Sequence, residues 1–378
     1  MLHELTSDQD MLRDSTARFL SDRAPLAKLR KDRDHPVGFD PAYWTSGCEL
    51  GWTMLLVSEE DGGGSVSGNG ALDLSLIAYE FGKHAAPGPL VDCNVVASAL
   101  SGQQGELQRA VLQGLLTGAD IATSCLGAAP WMQPGSESIT IRRDGDDVLI
   151  DGQVYPVESA AQASHLLVTG MSEGRMTQVL LPANTPGVTI KPLKAIDVTR
   201  RFGKVSFAGV RAPASALVGA FGGADAEVAR QIQVAAVILS AESVGAMDAA
   251  FDMTIDWAFN RYTFGRALAS YQALKHRFAD MKSWLEACHA IGDAAAKAVG
   301  EASASAAELA SAAKSYIGVQ GVELAQDCVQ MHGGIGVTYE HDLHFFLRRV
   351  TLDSLLYGTP ADHKRLIAAM QINQEKAA

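Results

Sequence analysis

Hydrophobic positions recur with a helical period at both ends of the chain and with a period of two in the middle. Near the start, Met11, Leu12, Ala17, Phe19 and Leu20 fall at helical spacing, with Ser7 or Asp8 placed to cap the helix. Further helices are predicted over 40–52, 72–81, 95–100 and 107–116, separated by the glycine-rich stretch 59–64 and by Pro87-Gly-Pro89. From Ile121 the pattern changes. Short apolar runs at 138–142, 148–150, 166–168, 177–181, 188–190 and 204–207 alternate with turn residues such as those at 143–147, as strands do. From Asp225 the helical period returns, with an alanine-rich helix predicted over 302–330. The pattern predicts an α+β protein in three segments. Residues 1–117 form an all-α domain, 118–222 a small antiparallel β-barrel or sandwich, and 223–378 a four-helix bundle.

Composition narrows the function. A net charge of −12 argues against a nucleic-acid partner, whose phosphates require a basic surface. It leaves room for a phosphorylated ligand held by a few arginines. Five scattered cysteines with no Cys-x-x-Cys pair predict free, buried thiols in a reducing, cytoplasmic setting and no metal site. The first ten residues carry no basic and apolar signal pattern, and the absence of an unbroken apolar run of about 18 residues predicts no membrane span.

The stretch from Val234 to Met281 carries the chemistry. A long apolar helix with small residues leads into Arg261-Tyr-Thr-Phe264-Gly265-Arg266, and a second helix opens at Tyr271-Gln272 and runs through Lys275-His276 to Asp280-Met281. Further on come Gln330-Met-His-Gly333-Gly334-Ile-Gly336, Tyr339-Glu-His-Asp342 and Leu347-Arg348-Arg349. Each piece has an ordinary explanation alone. An arginine at a helix end is a solvated terminal charge, and two glycines stop a helix. No strand precedes Gly334-Ile-Gly336, so it is not a dinucleotide fingerprint of the Rossmann kind.

Taken in order, these pieces resemble the acyl-CoA dehydrogenase family. Leu50-Gly51-Trp52, Glu59-Glu-Asp-Gly-Gly63, Tyr79-Glu80-Phe-Gly82 and the segment from Phe207 to Gly219 extend the likeness over nearly the whole chain. The C-terminal run resembles the bacterial branch that contains steroid and other bulky acyl-CoA dehydrogenases. The resemblance implies a flavoprotein oxidoreductase of lipid metabolism in which FAD takes a hydride from the β-carbon of an acyl-CoA thioester, leaving an α,β double bond. It implies an electron-transfer flavoprotein or similar acceptor, and a homo- or hetero-oligomer, a dimer or tetramer, of related chains. It assigns Arg261 to the FAD pyrophosphate and Phe264 and Gln272 to the adenosine side. Gln330, Gly333, Gly334 and Thr359 complete the implied cofactor set, part of which reaches FAD across a subunit interface.

The departures from the family pattern fall on the base and the flavin loops. The family's catalytic glutamate precedes Gly-Thr, whereas this chain has Tyr357 before Gly358-Thr359. A tyrosine of ordinary pKa, about 10, does not serve as that base at neutral pH. The alternative position, counted back from Arg261, is Ala235, followed by Ala236. Glu242, about two turns further along the same helix among Val237, Ile238, Leu239 and Val244, is the candidate base. The same surroundings fit a structural glutamate that pairs within the bundle, and Asp353 and Asp362 are further candidates. In the middle segment the family's flavin-covering loop is replaced by 124–137, and its Trp-Ile-Thr by Tyr155-Pro156-Val157. Two expectations follow: a dehydrogenase with a relocated base, or a non-catalytic subunit that completes the FAD site of a catalytic partner in a heterotetramer.

Overall fold

The structure is a computed structural model and describes residues 4–132, 135 and 138–377. Its helices and strands follow the predicted order. The N-terminal part holds α1 (Ser7–Arg23), α2 (Leu26–Asp32), α3 (Pro41–Glu49), α4 (Gly70–Lys83), α5 (Leu90–Leu100) and α6 (Glu106–Thr117). The middle part holds β1 (Ala122–Leu126), β2 (Ile139–Asp144), β3 (Asp147–Glu158), β4 (His165–Ser172), β5 (Arg175–Pro182), β6 (Val188–Leu193), β7 (Phe202–Pro213) and β8 (Leu217–Val218). The C-terminal part holds α7 (Asp225–Asn260), α8 (Gln272–Gly300), α9 (Ala306–His332), α10 (Leu343–Leu355) and α11 (Pro360–Ala377). The cap of α1 is Thr6 rather than Ser7 or Asp8: its hydroxyl accepts from the Gln9 amide while Gln9 returns the bond to the Thr6 amide.

The chain forms two compact units. One comprises Asp32–Leu74 and Pro87–Ala235; the other comprises Met1–Lys31, Ser75–Ala86 and Ala236–Ala378. In the first, the strands run in the order β6-β7-β3-β2-β4-β5-β8, with β1 alongside β4. Among the described residues the sheet does not close, since its end strands β6 and β8 do not pair with each other. It is also mixed, since β1 and β2 both run parallel to β4. The antiparallel barrel expected from even strand spacing is therefore corrected to an open mixed sheet. Spacing alone does not reveal which strands return through a crossover. One face of the sheet is filled by Ile139, Ile141, Val148, Ile150, Leu166, Val168, Val179, Val205 and Val210, which is the alternation that marked these runs as strands.

In the second unit α7 crosses the C-terminal half of α4 at glycines. A Cβ placed on Gly82 would come within 1.8 Å of the Glu242 carbonyl oxygen, and one on Gly245 within 1.9 Å of the Tyr79 carbonyl oxygen. No residue larger than glycine lets these two backbones touch. Beside the crossing, the Tyr79 hydroxyl donates to Asp248 at 2.8 Å, and Asp248 also meets His289 of α8 at 2.8 Å. By length and composition alone helix α7 is long and apolar enough to cross a membrane, but 89% of its apolar window is buried inside the structure. The five cysteines are free and buried.

Candidate functional site

Helix α7 buries Glu242 completely. Its carboxylate pairs with the guanidinium of Arg349 on α10, and both side chains are 0% exposed. The second amino group of Arg349 donates to the carbonyls of Ala85 at 3.2 Å and Ala86 at 2.9 Å, where the chain leaves α4. Ala85 has a left-handed φ of 47°. The candidate base Glu242 therefore sits inside an ion pair in this structure rather than beside a cleft. A general base must come within hydrogen-bond reach of the proton it removes, and this carboxylate is enclosed and already neutralised by an arginine. Ala235 and Ala236 are buried and contribute only methyl groups. Asp353 is buried next to the Ser243 hydroxyl, and Asp362 is occupied at the start of α11.

The turn between α10 and α11 carries Tyr357. Tyr357 has φ 53° and Gly358 φ 100°, so two consecutive residues are left-handed. Lys314, 2% exposed on α9, donates to the carbonyls of Ser354 and Gly358, each at 3.0 Å. His363 on α11 donates from Nε2 to the Tyr357 carbonyl at 3.0 Å. Thr359 acts here as a helix cap: its amide and hydroxyl donate to the Asp362 carboxylate, and the Asp362 amide returns a bond to the hydroxyl. Burial pushes the Lys314 ammonium down to about 8, against the pull of Asp353 and Asp362. Burial, helped by the Lys314 charge, pushes His363 down to about 4.

The residues expected to reach a dinucleotide lie on open surface. Between α7 and α8 the chain makes a tight hairpin, with Tyr262–Thr263 paired to Arg266–Ala267. Phe264 (φ 50°) and Gly265 (φ 80°) form its tip, the two left-handed residues of a type I′ turn. The Phe264 ring is 99% exposed. A bulky residue at positive φ with an uncovered ring is strained without local compensation, a pattern found at ligand clamps. Arg261 and Gln272, at the hairpin's base and the start of α8, are exposed, as is Gln330 on the last turn of α9. Gly333 ends α9 at φ 65° and ψ −143°. A Cβ on Gly333 or Gly334 would meet nothing within 4 Å, so this backbone is free for the close approach of a ligand.

A feature not anticipated from sequence joins these two surfaces. The His332 ring stacks on Trp257 at 5.1 Å, and His341 packs against His332 at 4.5 Å. The Arg261 guanidinium lies over the same Trp257 ring at 5.8 Å. The His332 Nδ1–H donates to the Cys328 carbonyl at 2.8 Å, which anchors the residue just before Gly333. The signal was present as Trp257 four residues before Arg261 on one helical face, and His332 at the end of another helix.

In the other unit, Pro156 falls at the register shift between Val154 and Val157 in the β3–β7 pairing. A residue without an N–H is tolerated there. Tyr155 is exposed, while the next acid, Glu158, is buried and paired with buried Arg200 at 3.2 Å. Within the loop 124–137, Gln133, Pro134, Ser136 and Glu137 lie outside the described residues.

Comparison with known proteins decides the family. The profile "Acyl-CoA dehydrogenase, C-terminal domain" matches residues 226–372, and "Acyl-CoA dehydrogenase, N-terminal domain" matches residues 6–119. The chain belongs to the acyl-CoA dehydrogenase family. It is 26% identical over 367 residues to acyl-CoA dehydrogenase IpdE2 of Mycolicibacterium smegmatis, covering 97% of this chain and 99% of the relative. It is 28% identical over 355 residues to acyl-CoA dehydrogenase FadE12 of Mycobacterium tuberculosis, covering 89% and 88%. Among solved structures, a variant of the Tcur3481-Tcur3483 steroid ACAD superposes with a TM-score of 0.86 at 24% identity, covering 98% of this chain and 99% of the other. Butyryl-CoA dehydrogenase from Megasphaera elsdenii gives a TM-score of 0.87 at 21% identity, covering 98% and 100%. The family places this chain among flavoprotein oxidoreductases.

Proposed function

We propose that this chain works, in the cytoplasm, in the FAD-dependent α,β-dehydrogenation of an acyl-CoA thioester. The family membership supports the reaction class, and the open surface around Arg261, Phe264, Gln272, Gln330 and Gly333-Gly334 supports the cofactor. That surface fits a dinucleotide: an arginine can pair its planar fork with a pyrophosphate, an uncovered ring can stack, and bare glycine backbone can approach phosphate oxygens. FAD, when bound, supplies the hydride acceptor. The chain's residues bind and orient it, and electrons leave to an electron-transfer flavoprotein or similar acceptor. A bulky, branched or steroid-derived acyl group is the substrate class we favour, in keeping with the steroid ACAD among the structural neighbours.

The enclosure of Glu242 by Arg349 favours one form of this reading over another. With alanines at 235 and 236, tyrosine at 357 and Glu242 locked in an ion pair, the chain serves best as the subunit that completes the FAD site of a related catalytic chain. Expression of the chain alone, followed by a visible spectrum and a mass in solution, tests the choice. A colourless chain that takes up flavin only with a homologous second subunit is the expected result. One FAD per chain with turnover of its own would overturn the partner-subunit reading and leave the dehydrogenase reading standing.

A further inference from the structure

Arg261 and Gly333 stand at the C-terminal ends of two different helices, α7 and α9, and one indole joins those ends. The Arg261 guanidinium lies over the Trp257 ring at 5.8 Å, and the His332 ring stacks on the same indole at 5.1 Å with the planes 20° apart. His332 is the last residue of α9 before Gly333, so a hold on its ring is a hold on the start of the glycine pair. The imidazole is fixed in turn. Its Nδ1–H donates to the Cys328 carbonyl at 2.8 Å, and His341 packs on it at 4.5 Å. The loop that carries His341 is gripped by Arg30 of α2, through the Glu340 carbonyl at 3.0 Å and the Asp342 carboxylate. Burial, helped by His341, lowers the His332 pKa. The imidazole therefore stacks uncharged at neutral pH and leaves the electron-rich indole to the guanidinium.

Packing alone is a poor reason for this stack. Trp257 Nε1 and His332 Nε2 are buried without a hydrogen-bond partner among the described residues, and an unpaired buried polar atom opposes folding. Leucine and phenylalanine would fill such a space without that penalty. Tryptophan adds the widest flat surface and the strongest hold on a cation. Both are used here, one for the imidazole and one for the guanidinium.

We propose that Trp257 is a positioning residue: by seating Arg261 and the His332–Gly333 step on one ring, it sets the separation between the guanidinium and the bare glycine backbone, so that a pyrophosphate meets both without first having to order either. This rests on the functional reading above, in which Arg261 and Gly333-Gly334 face one dinucleotide, and it holds whether that dinucleotide is this chain's or a partner's. Removing the indole leaves every contacting group in the chain and raises the cost of ordering them on binding.

The test measures the dissociation constant of FAD, by flavin fluorescence, in the protein assembled with its flavin-bearing partner where it needs one. Wild type is compared with Trp257→Leu, Arg261→Met, their double variant and the conservative Trp257→Phe. Trp257→Leu is expected to weaken FAD by about tenfold, the scale of ordering one long side chain. The double variant is expected to fall clearly short of the product of the two single effects, because the indole acts partly through the arginine. Trp257→Phe keeps a flat ring and drops the unpaired N–H, and should keep most of the affinity. Hydrogen exchange in Trp257→Leu should rise at 258–267 and 333–337 together. If Trp257→Leu does not fold, His332→Asn, which keeps a donor for the Cys328 carbonyl and removes the stacked ring, takes its place. A folded Trp257→Leu with wild-type affinity, a Trp257→Phe as weak as Trp257→Leu, or two fully multiplicative effects would each overturn the inference alone. Wild-type FAD affinity in Arg261→Met would instead overturn the functional reading of this surface, and the inference with it.

Discussion

Arg349 on α10 reaches Glu242 on α7 with neither side chain exposed, and the same guanidinium closes the carbonyls of Ala85 and Ala86 after α4. Three helices are thereby tied by one residue. Arg349→Met should cost about 3–5 kcal/mol, because it strands a buried carboxylate. Adding Glu242→Leu should recover part of that loss and not all of it, since the two carbonyls stay unpaired at about 1–3 kcal/mol each. Urea midpoints of the two single variants and the double measure this directly. Glu242→Gln should lower the midpoint while leaving turnover per folded assembly unchanged. A large loss of turnover at an unchanged midpoint would return Glu242 to the role of base.

The crossing of α4 and α7 predicts an intolerance that no propensity argument contains. Alanine is the better helix former by about 1 kcal/mol, so Gly245→Ala on an ordinary helix would stabilise. Here the added methyl would stand 1.9 Å from the Tyr79 carbonyl oxygen. That atom is backbone and cannot rotate away, so the helices must separate, at about 1–3 kcal/mol or more. A higher melting temperature for Gly245→Ala would show that the two backbones are not in contact.

These two relationships also mark what the sequence could carry. Helix and strand positions were legible because burial imposes a period, as in Ile139, Ile141, Val148 and Ile150. The order Arg261, Phe264, Gln272, Gly333-Gly334 was legible because it is a pattern of residue types. Three things were not. The mixed sheet depends on β1 and β2 both pairing parallel with β4, a matter of crossovers rather than composition. The partner of Glu242 lies more than a hundred residues away in Arg349. The Trp257–His332–His341 stack joins helices whose relative rotation no periodicity fixes. Glu242 stood out for its apolar neighbours, and a base and a buried ion pair share that signature until the partner is seen.

The turn that holds Tyr357 should give stability a distinctive dependence on pH. His363 binds protons more weakly folded, at about 4, than unfolded, at about 6.5. Between those values the unfolded state holds more protons, so stability falls as pH drops from about 6.5 to 4, by about 3 kcal/mol at most. Lys314 is likewise depressed, to about 8 from 10.5. By the same sign its contribution rises as pH increases from 8 to 10.5, where only the unfolded state is still protonated. Glu80, raised to about 7 by burial, acts oppositely to His363 in acid, so the comparison must be with variants. His363→Gln should flatten the acid limb and Lys314→Met the alkaline limb of the stability curve. Limbs that keep their wild-type slope would show that neither group is titrating as placed.

The open surface predicts the reverse of the Arg349 result, a loss of assembly and cofactor without a loss of stability. Phe264 is 99% exposed, so Phe264→Ala removes no buried area within this chain and should leave its stability within about 0.5 kcal/mol of wild type. The strain at its positive φ argues for glycine as a second replacement, and Phe264→Gly should if anything stabilise the isolated chain. Arg261→Met likewise removes an exposed guanidinium whose contact is the one over Trp257. In the assembled protein both changes should weaken flavin retention. Arg261→Met should do so by about 1.5–3 kcal/mol, the scale of a hydrogen bond to a charged group, which is roughly ten- to a hundredfold in the dissociation constant. The check is the flavin absorbance per chain after gel filtration, with thermal melting of the isolated chain beside it. Variants that melt normally and keep full flavin in the assembly would place the cofactor elsewhere. Variants that melt normally and lose it would fix this hairpin as the arm by which the chain reaches a dinucleotide.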